Sequence, residues 1–358
     1  MRVLQLIDTL NAGGAEQMAI LFANSLIEKA DFSACVTTRN EGILKNNLNA
    51  KVQYFSLFRK STLDFLAIFR LRNFVKQNKV EIVHAHGTSF FVACVLKTIC
   101  PKISIVYHEH FGGRKNETGF QNILLILASL FFTEIIVVNV DLEIWCKKYL
   151  FCKNISFLPN FIIPNKSENK VTFLKGEKGK RIVFLANLKH PKNHVFFLNA
   201  FLNLDLKNIG WTVHLVGKNF NDDYSVTIEN FIVANKLENA VFFYDVCQDI
   251  SHILQQADIG ILASTDEGFP VTILEYASAK LPVLVSDVGY CPNIVANGYS
   301  GLLFDPNNFI DLEQKLNLIS SSSIIRFNFA ENLYSFCNLN FSSEIVVQKL
   351  LDIYKKTR

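Results

Sequence analysis

The chain has eight cysteines but no Cys-x-x-Cys pair and no Cys/His series at zinc-finger spacing. Cys146 and Cys152 stand too far apart for a finger. Several cysteines lie inside apolar runs, so the expectation is buried free thiols in a reducing cytosol. No apolar run reaches the ~20 residues that a membrane span needs. The most hydrophobic stretch, Ile123–Phe132, is separated from Ile135–Val138 by Thr133 and Glu134. The opening MRVLQLIDTL enters a strand pattern without a signal-peptide core. The expected setting is cytoplasmic, with at most peripheral contact on the inner face of the membrane. Internal repeats, low-complexity tracts and basic-aromatic modules are also lacking, which argues against nucleic acid as a partner. So is Gly-x-Gly-x-x-Gly, the dinucleotide fingerprint.

What is present is a chain of 358 residues, half of them apolar, long enough for two domains. Net charge is +4 and unevenly spread. Residues 1–170 hold 20 Lys/Arg and 13 Asp/Glu, whereas residues 171–358 hold 16 and 19. A basic first half suits an anionic membrane surface or acceptor, with ordinary scatter as the alternative.

Short apolar runs recur at Val3–Ile7, Ala34–Thr37, Ile82–Ala85, Ile103–Tyr107, Ile135–Val138 and Ile155–Leu158, with helical patterns between them. Strands apolar on both faces and alternating with helices predict a doubly wound parallel α/β domain. The polar stretch 164–181 interrupts the series and reads as a linker. A second series follows at Ile182–Ala186, Thr212–Val216, Ala240–Tyr244, Ile259–Ala263 and Val283–Ser286. The expectation is two Rossmann-like domains, 1–165 and 176–341, with a C-terminal helix over 342–358 packing back on the first. Its apolar face is read as Ile345, Val346, Leu350, Leu351 and Tyr354. Ligands of such sheets bind at the carboxyl ends of strands, here in the cleft between the two domains.

Chemistry-bearing residues fall at those strand ends. Gly13 and Gly14 follow the first strand and open a helix, where bare amides can meet an anion; a plain tight turn is the alternative. His84, His86, His108 and His110 end two further strands, as core histidines, site residues or a metal set. Lys189 and Lys192 follow the first strand of the second domain and can neutralise phosphate, or simply form a solvated basic loop. Glu267-Gly268-Phe269-Pro270, with Glu275 eight positions after Glu267, places one carboxylate before a helix and one on it. Pro270 is read at the first helical position. Amides for phosphate beside a carboxylate for hydroxyls fit a nucleotide sugar.

Together these residues resemble the GT-B glycosyltransferases, specifically the retaining glycosyltransferase family 4. Gly13-Gly14-Ala15-Glu16, Lys192-Asn193, Val216-Gly217-Lys218-Asn219, the Glu267-to-Glu275 block and Asn297-Gly298 carry the resemblance over the whole chain. It implies that Glu275 holds the donor ribose and that Glu267, with the amides around Gly268, Phe269 and Pro270, cradles the sugar. Gly14 would approach the diphosphate, with Gly13 and Gly217 shaping the donor site. His110 would face the anomeric carbon, with His108 as second choice. Lys192 would neutralise the departing diphosphate. Asn187 stands where the family usually has an arginine, in an Asn-Leu variant familiar among polysaccharide-assembly members.

The implied reaction is transfer of a sugar from a nucleoside-diphosphate sugar to a glycan or lipid-linked hydroxyl with retained configuration. The resemblance implies that no metal or other cofactor is needed, and consistently the chain contains no Asp-x-Asp, the diphosphate anchor of the other major glycosyltransferase fold. A non-catalytic binding subunit and a sugar-nucleotide 2-epimerase are the alternatives. The stretch Arg59–Lys79, basic and bearing Phe65, Leu66, Phe69 and Phe74, is read as a packed domain helix or a membrane-surface helix.

Overall fold

The computed structural model describes residues 1–62, 64–161, 163 and 170–357, with Lys115 described by its backbone alone. The chain divides into two compact units, Met1–Phe161 with Ser343–Arg358, and Ile162–Ser342.

The first unit is built on a parallel sheet of β1 (Arg2–Thr9), β2 (Phe32–Asn40), β3 (Gln53–Ser56), β4 (Ile82–His86), β5 (Ser104–Glu109), β6 (Glu134–Val137) and β7 (Ile155–Phe157). Its spatial order is β3-β2-β1-β4-β5-β6-β7. Every pairing is parallel. The central strands are buried on both faces, as their unbroken apolar runs require. β3 escapes the run criterion because it is a half-exposed edge strand.

The second sheet comprises β8 (Arg181–Leu185), β9 (Thr212–Val216), β10 (Val241–Tyr244), β11 (Ile259–Leu262), β12 (Val283–Ser286) and β13 (Leu302–Phe304). Its order is β10-β9-β8-β11-β12-β13, again wholly parallel. β13 is buried but only three residues long, too short to stand out in a sequence. Both units are therefore Rossmann-like α/β, each reversing strand order beside its first strand, at β1/β4 and at β8/β11.

The helix Gly14–Ser25 packs Met18 and Phe22 into the first unit's core, where Leu26, Phe161 and the C-terminal helix Ser343–Lys356 join it. That last helix buries Val346, Val347, Leu350, Leu351, Ile353 and Tyr354. Ile345, read as part of its apolar face, is exposed, and Val347 and Ile353 are buried. The apolar stripe is therefore wider than the sequence reading drew it.

Residues 164–169 of the linker lie outside the described residues. The rest of that stretch is tethered to the second unit. The amides of Val171 and Thr172 donate to Asp249, and those of Gly179 and Arg181 donate to Asp258. No helix among the described residues is long and apolar enough to cross a membrane. All eight cysteines are free, and all but Cys247 are buried.

Candidate active site

In the second unit, the loops leaving four adjacent strands meet. The loop after β8 carries Asn187 and Lys192, and the loop after β11 carries Glu267 to Pro270. These two strands are neighbours at the point where strand order reverses, the position at which open α/β sheets bind ligands. Lys192 Nζ donates to Glu267 Oε1 at 2.6 Å, and Ser264 Oγ donates to the same oxygen at 2.6 Å. The amide of Thr265 donates to the carbonyl of Pro191 at 2.9 Å, which ties the two loops together. Both members of the Lys192–Glu267 pair keep some exposure, at 20% and 11% of the side chain. The pair is thus reachable by solvent and by a ligand.

Glycines let the outer two loops close in. Gly217, after β9, has φ +149°, and a Cβ there would stand 2.3 Å from the Ala186 carbonyl oxygen. The contact brings the Lys218 amide to Asn187 Oδ1 at 2.9 Å. Asn187 thus accepts a bond that braces the β9 turn, a role an arginine cannot play because it has no acceptor. Gly289, after β12, is pressed against the backbone of Glu267.

The helix Val271–Ser278 starts behind this loop, with Pro270 at its N-cap rather than at the first helical position. Phe269 is buried and stacks on Tyr290 at 4.9 Å. Glu275 lies on that helix, and desolvation pushes its carboxyl up to about 7. Sequence reasoning missed what anchors the helix. Tyr276 inserts its hydroxyl between β8 and β11, donating to the carbonyl of Ile261 at 2.9 Å and accepting from the amide of Leu185 at 2.9 Å. Gly260 makes room, since a Cβ there would stand 2.7 Å from the Tyr276 ring. A lone glycine inside an apolar strand was the available signal.

An open pocket of 380 Å³ beside the loop is lined by His190, Asn193, Val195, Asp223, Tyr224 and Thr227. None of the predicted site residues lines it.

In the first unit, Gly13 caps the helix Gly14–Ser25 with extended backbone, and a Cβ at Gly14 would meet no atom within 4 Å. The space is open at Gly14 alone, since a Cβ at Gly13 would stand 2.3 Å from Glu16 Oε2. His84 and His86 on β4, His108 on β5 and His110 just beyond it form one stacked cluster. The ligand atoms of His84, His86 and His108 lie within 4.8 Å of one another. His108, the second choice to face a ligand, is fully buried; His110 keeps partial exposure. Desolvation pushes the His110 imidazole down to about 3 and holds the other three well below the usual histidine range, so all four are neutral.

Residues 165–336 match the family model for glycosyl transferases group 1, and residues 12–166 match that for glycosyltransferase family 4. The chain is 28% identical over 345 residues to the N,N'-diacetylbacillosaminyl-diphospho-undecaprenol alpha-1,3-N-acetylgalactosaminyltransferase of Campylobacter jejuni, covering 87% of both chains. It is 25% identical to the UDP-Gal:alpha-D-GlcNAc-diphosphoundecaprenol alpha-1,3-galactosyltransferase of Escherichia coli, covering 92% of this chain and 90% of that one. Among solved structures, HepE of Anabaena in complex with UDP and glucose superposes with a TM-score of 0.81 at 17% identity, over 99% of this chain and all of that one. With both units matched in turn by models of one enzyme class, and with this double parallel-sheet architecture, the chain belongs to glycosyltransferase family 4, a GT-B family.

Proposed function

We propose that this enzyme transfers a hexose or N-acetylhexosamine from a UDP-sugar to a hydroxyl of a lipid-diphosphate-linked glycan, with retained configuration and without a metal. The observation that carries the donor half is the Lys192–Glu267 pair, held at 2.6 Å at the strand reversal beside β8. When the bond from the anomeric carbon to the diphosphate breaks, negative charge grows on the leaving oxygen. Lys192 is a point charge for that oxygen, and the Gly14 and Gly268–Pro270 backbone supplies further dipoles. Released from Lys192, Glu267 becomes an acceptor for sugar hydroxyls. Glu275 accepts the ribose hydroxyls, and His110 faces the transferred sugar as a neutral ring. The Campylobacter jejuni and Escherichia coli relatives, named for undecaprenol-diphosphate acceptors, and the UDP found with HepE support the choice of acceptor and nucleotide.

The acceptor half draws on the first unit's surface. The helix Phe65–Gln77 exposes Phe65, Leu66 and Phe69 and carries Arg70, Arg72 and Lys76 without an acidic residue. The helix Phe90–Ile99 packs against it and against the helix Ile123–Ala128, which exposes Ile123, Leu124 and Leu127. Aromatic and aliphatic groups beside cationic ones suit an anionic bilayer carrying the lipid-linked acceptor.

The test is a thermal-shift panel of UDP-, GDP-, ADP- and CMP-sugars, followed by transfer to a short-chain prenyl-diphosphate glycan with the product anomer read by NMR. A UDP-sugar should raise the melting temperature selectively. Lys192→Ala should lower kcat by about 10²–10³-fold. Turnover identical in wild type and Lys192→Ala would remove the proposal. Conversion of donor to an isomer without acceptor would replace transfer by epimerisation.

A further inference from the structure

The buried histidines of the first unit are wired to one another and to the C-terminal helix. His84 and His86 alternate on β4, and His108 and His110 alternate at the end of β5, so all four rings stand on one face of the sheet. Gln5 on β1 pairs in register with His84, and His86 with His108. Phe22 covers three of the rings, at centroid distances of 5.7 Å to His84, 6.4 Å to His86 and 5.9 Å to His108. Tyr354 comes in from the C-terminal helix, fully buried.

With the Gln5 amide donating to Tyr354, the hydrogen bonds place the protons along the arm from Gln5 to His110. The Gln5 side-chain amide donates to Tyr354 OH at 3.2 Å, which leaves Gln5 Oε1 to accept from His86 Nε2 at 2.8 Å. His86 therefore carries its proton on Nε2, and its Nδ1 accepts from His110 Nε2 at 3.0 Å. His110 in turn spends its Nε2–H inward and keeps Nδ1 as its lone-pair nitrogen. Along a second arm, Tyr354 OH and His84 Nδ1 share a hydrogen bond of 2.6 Å, and His84 Nε2 and His108 Nδ1 share one of 3.1 Å. That arm ends at His108 Nε2, a buried nitrogen with no partner among the described atoms.

We propose that Gln5 and Tyr354 are positioning residues that set the tautomer of His110, so that its Nδ1 is an acceptor and its Nε2–H is anchored in the core. This rests on the reading of His110 as the ring that faces the transferred sugar. The logic is directional. If the Gln5 amide were reversed, its NH₂ would donate to His86, His86 would donate from Nδ1, and His110 would be forced to the Nδ1–H form. The hydroxyl of Tyr354 supports the first orientation by accepting from the Gln5 NH₂ at 3.2 Å. Residues of β1 and of the last helix thus decide which nitrogen of His110 is basic. The same nitrogens span a distance that a metal ion would accept, but those of His84 and His86 are engaged in the relay.

Long-range ¹H–¹⁵N correlation spectra of the full chain with ¹⁵N-histidine test this, with the His110 signals identified by His110→Gln. The wild type should show a single Nε2–H tautomer for His110. Tyr354→Phe and Gln5→Met should each give a mixture. They should lower kcat by about 10–100-fold while leaving the donor KM within about twofold, since only proton placement changes. A wild-type His110 protonated on Nδ1 would overturn the proposal, and that spectrum decides even if both variants fail to fold. An unchanged single tautomer in both variants, or one zinc per chain by elemental analysis of the purified protein, would overturn it too. Full activity in His110→Gln would instead remove the catalytic reading of His110, while the relay would still be judged by the spectra.

Discussion

Gly289 adopts φ +54°, and a Cβ there would stand 1.9 Å from the carbonyl oxygen of Glu267. Both facts demand glycine: the left-handed backbone and the close approach. Gly289→Ala should therefore displace the Glu267 loop, lower stability by ~1–3 kcal/mol and remove turnover. Gly14 is the counter-case, because the space around its missing Cβ is open. Gly14→Ala should leave the melting temperature of the free protein unchanged or slightly raised, yet weaken UDP-sugar binding. Equal thermal shifts with UDP for Gly14→Ala and wild type would remove Gly14 from the donor site. Glu275 gives a third residue-scale expectation. With its carboxyl pushed up to about 7 by desolvation, it is largely protonated at pH 6 and largely ionised at pH 8. Hydroxyls donate to the ionised form, so the UDP-induced thermal shift should grow between pH 6 and pH 8. A shift that stays flat in wild type and in Glu275→Gln alike would remove the ribose role.

The helix Phe65–Gln77 divides its apolar residues between two duties. Ala67, Ile68, Leu71 and Val75 are buried against the unit, while Phe65, Leu66 and Phe69 point out at 63%, 78% and 53% exposure. The packed-helix reading thus accounts for one face and leaves three large apolar groups beside Arg70 and Lys76 without it. Phe65→Ser with Leu66→Ser should abolish flotation with anionic vesicles at low salt and leave the fold intact, since neither side chain is in the core. Wild-type protein that stays unbound to such vesicles would end the membrane reading. The sequence could not separate the two faces, because Phe is as frequent on the buried side of this chain as on the open one. It was more telling for the strands: unbroken apolar runs marked the central members of both sheets, while edge β3 and three-residue β13 carried no such mark. Lys192 and Glu267, which the structure pairs, were legible because charged residues after apolar strands are conspicuous. The anchoring by Tyr276 was not, since it acts through β8 and β11, neighbours that only the strand order supplies.

Across the molecule the buried histidines are unevenly shared, and that inequality sets an acid response. The first unit holds His84, His86, His108 and His110, all depressed mainly by desolvation. The second holds His194 and His214, pushed down to about 3 and about 4. A base whose folded pKa lies below its unfolded value of ~6.5 favours folding least when the unfolded chain can take the proton. Stability is therefore complete above pH ~7 and is lost as pH falls below ~6.5, by about 1.4 kcal/mol per ring between pH 7.5 and pH 5.5. Four rings bring the first unit's loss to roughly 5 kcal/mol, against roughly 3 for the two in the second. Glu275 acts in the opposite sense. Its raised pKa means the folded state takes a proton that the unfolded chain does not, so acidification to pH 5.5 returns about 2 kcal/mol to the second unit. The net difference predicts that the first unit fails first on mild acidification. Hydrogen exchange read by mass spectrometry at pH 7.5 and pH 5.5, corrected for the intrinsic pH dependence, should show protection lost in β1, β4, β5 and the C-terminal helix before β8, β9 and β11. Equal loss in both units, or none, would mean that the histidine cluster is already protonated or hydrated in the folded state, and the neutral-ring relay built on it would fall with that result.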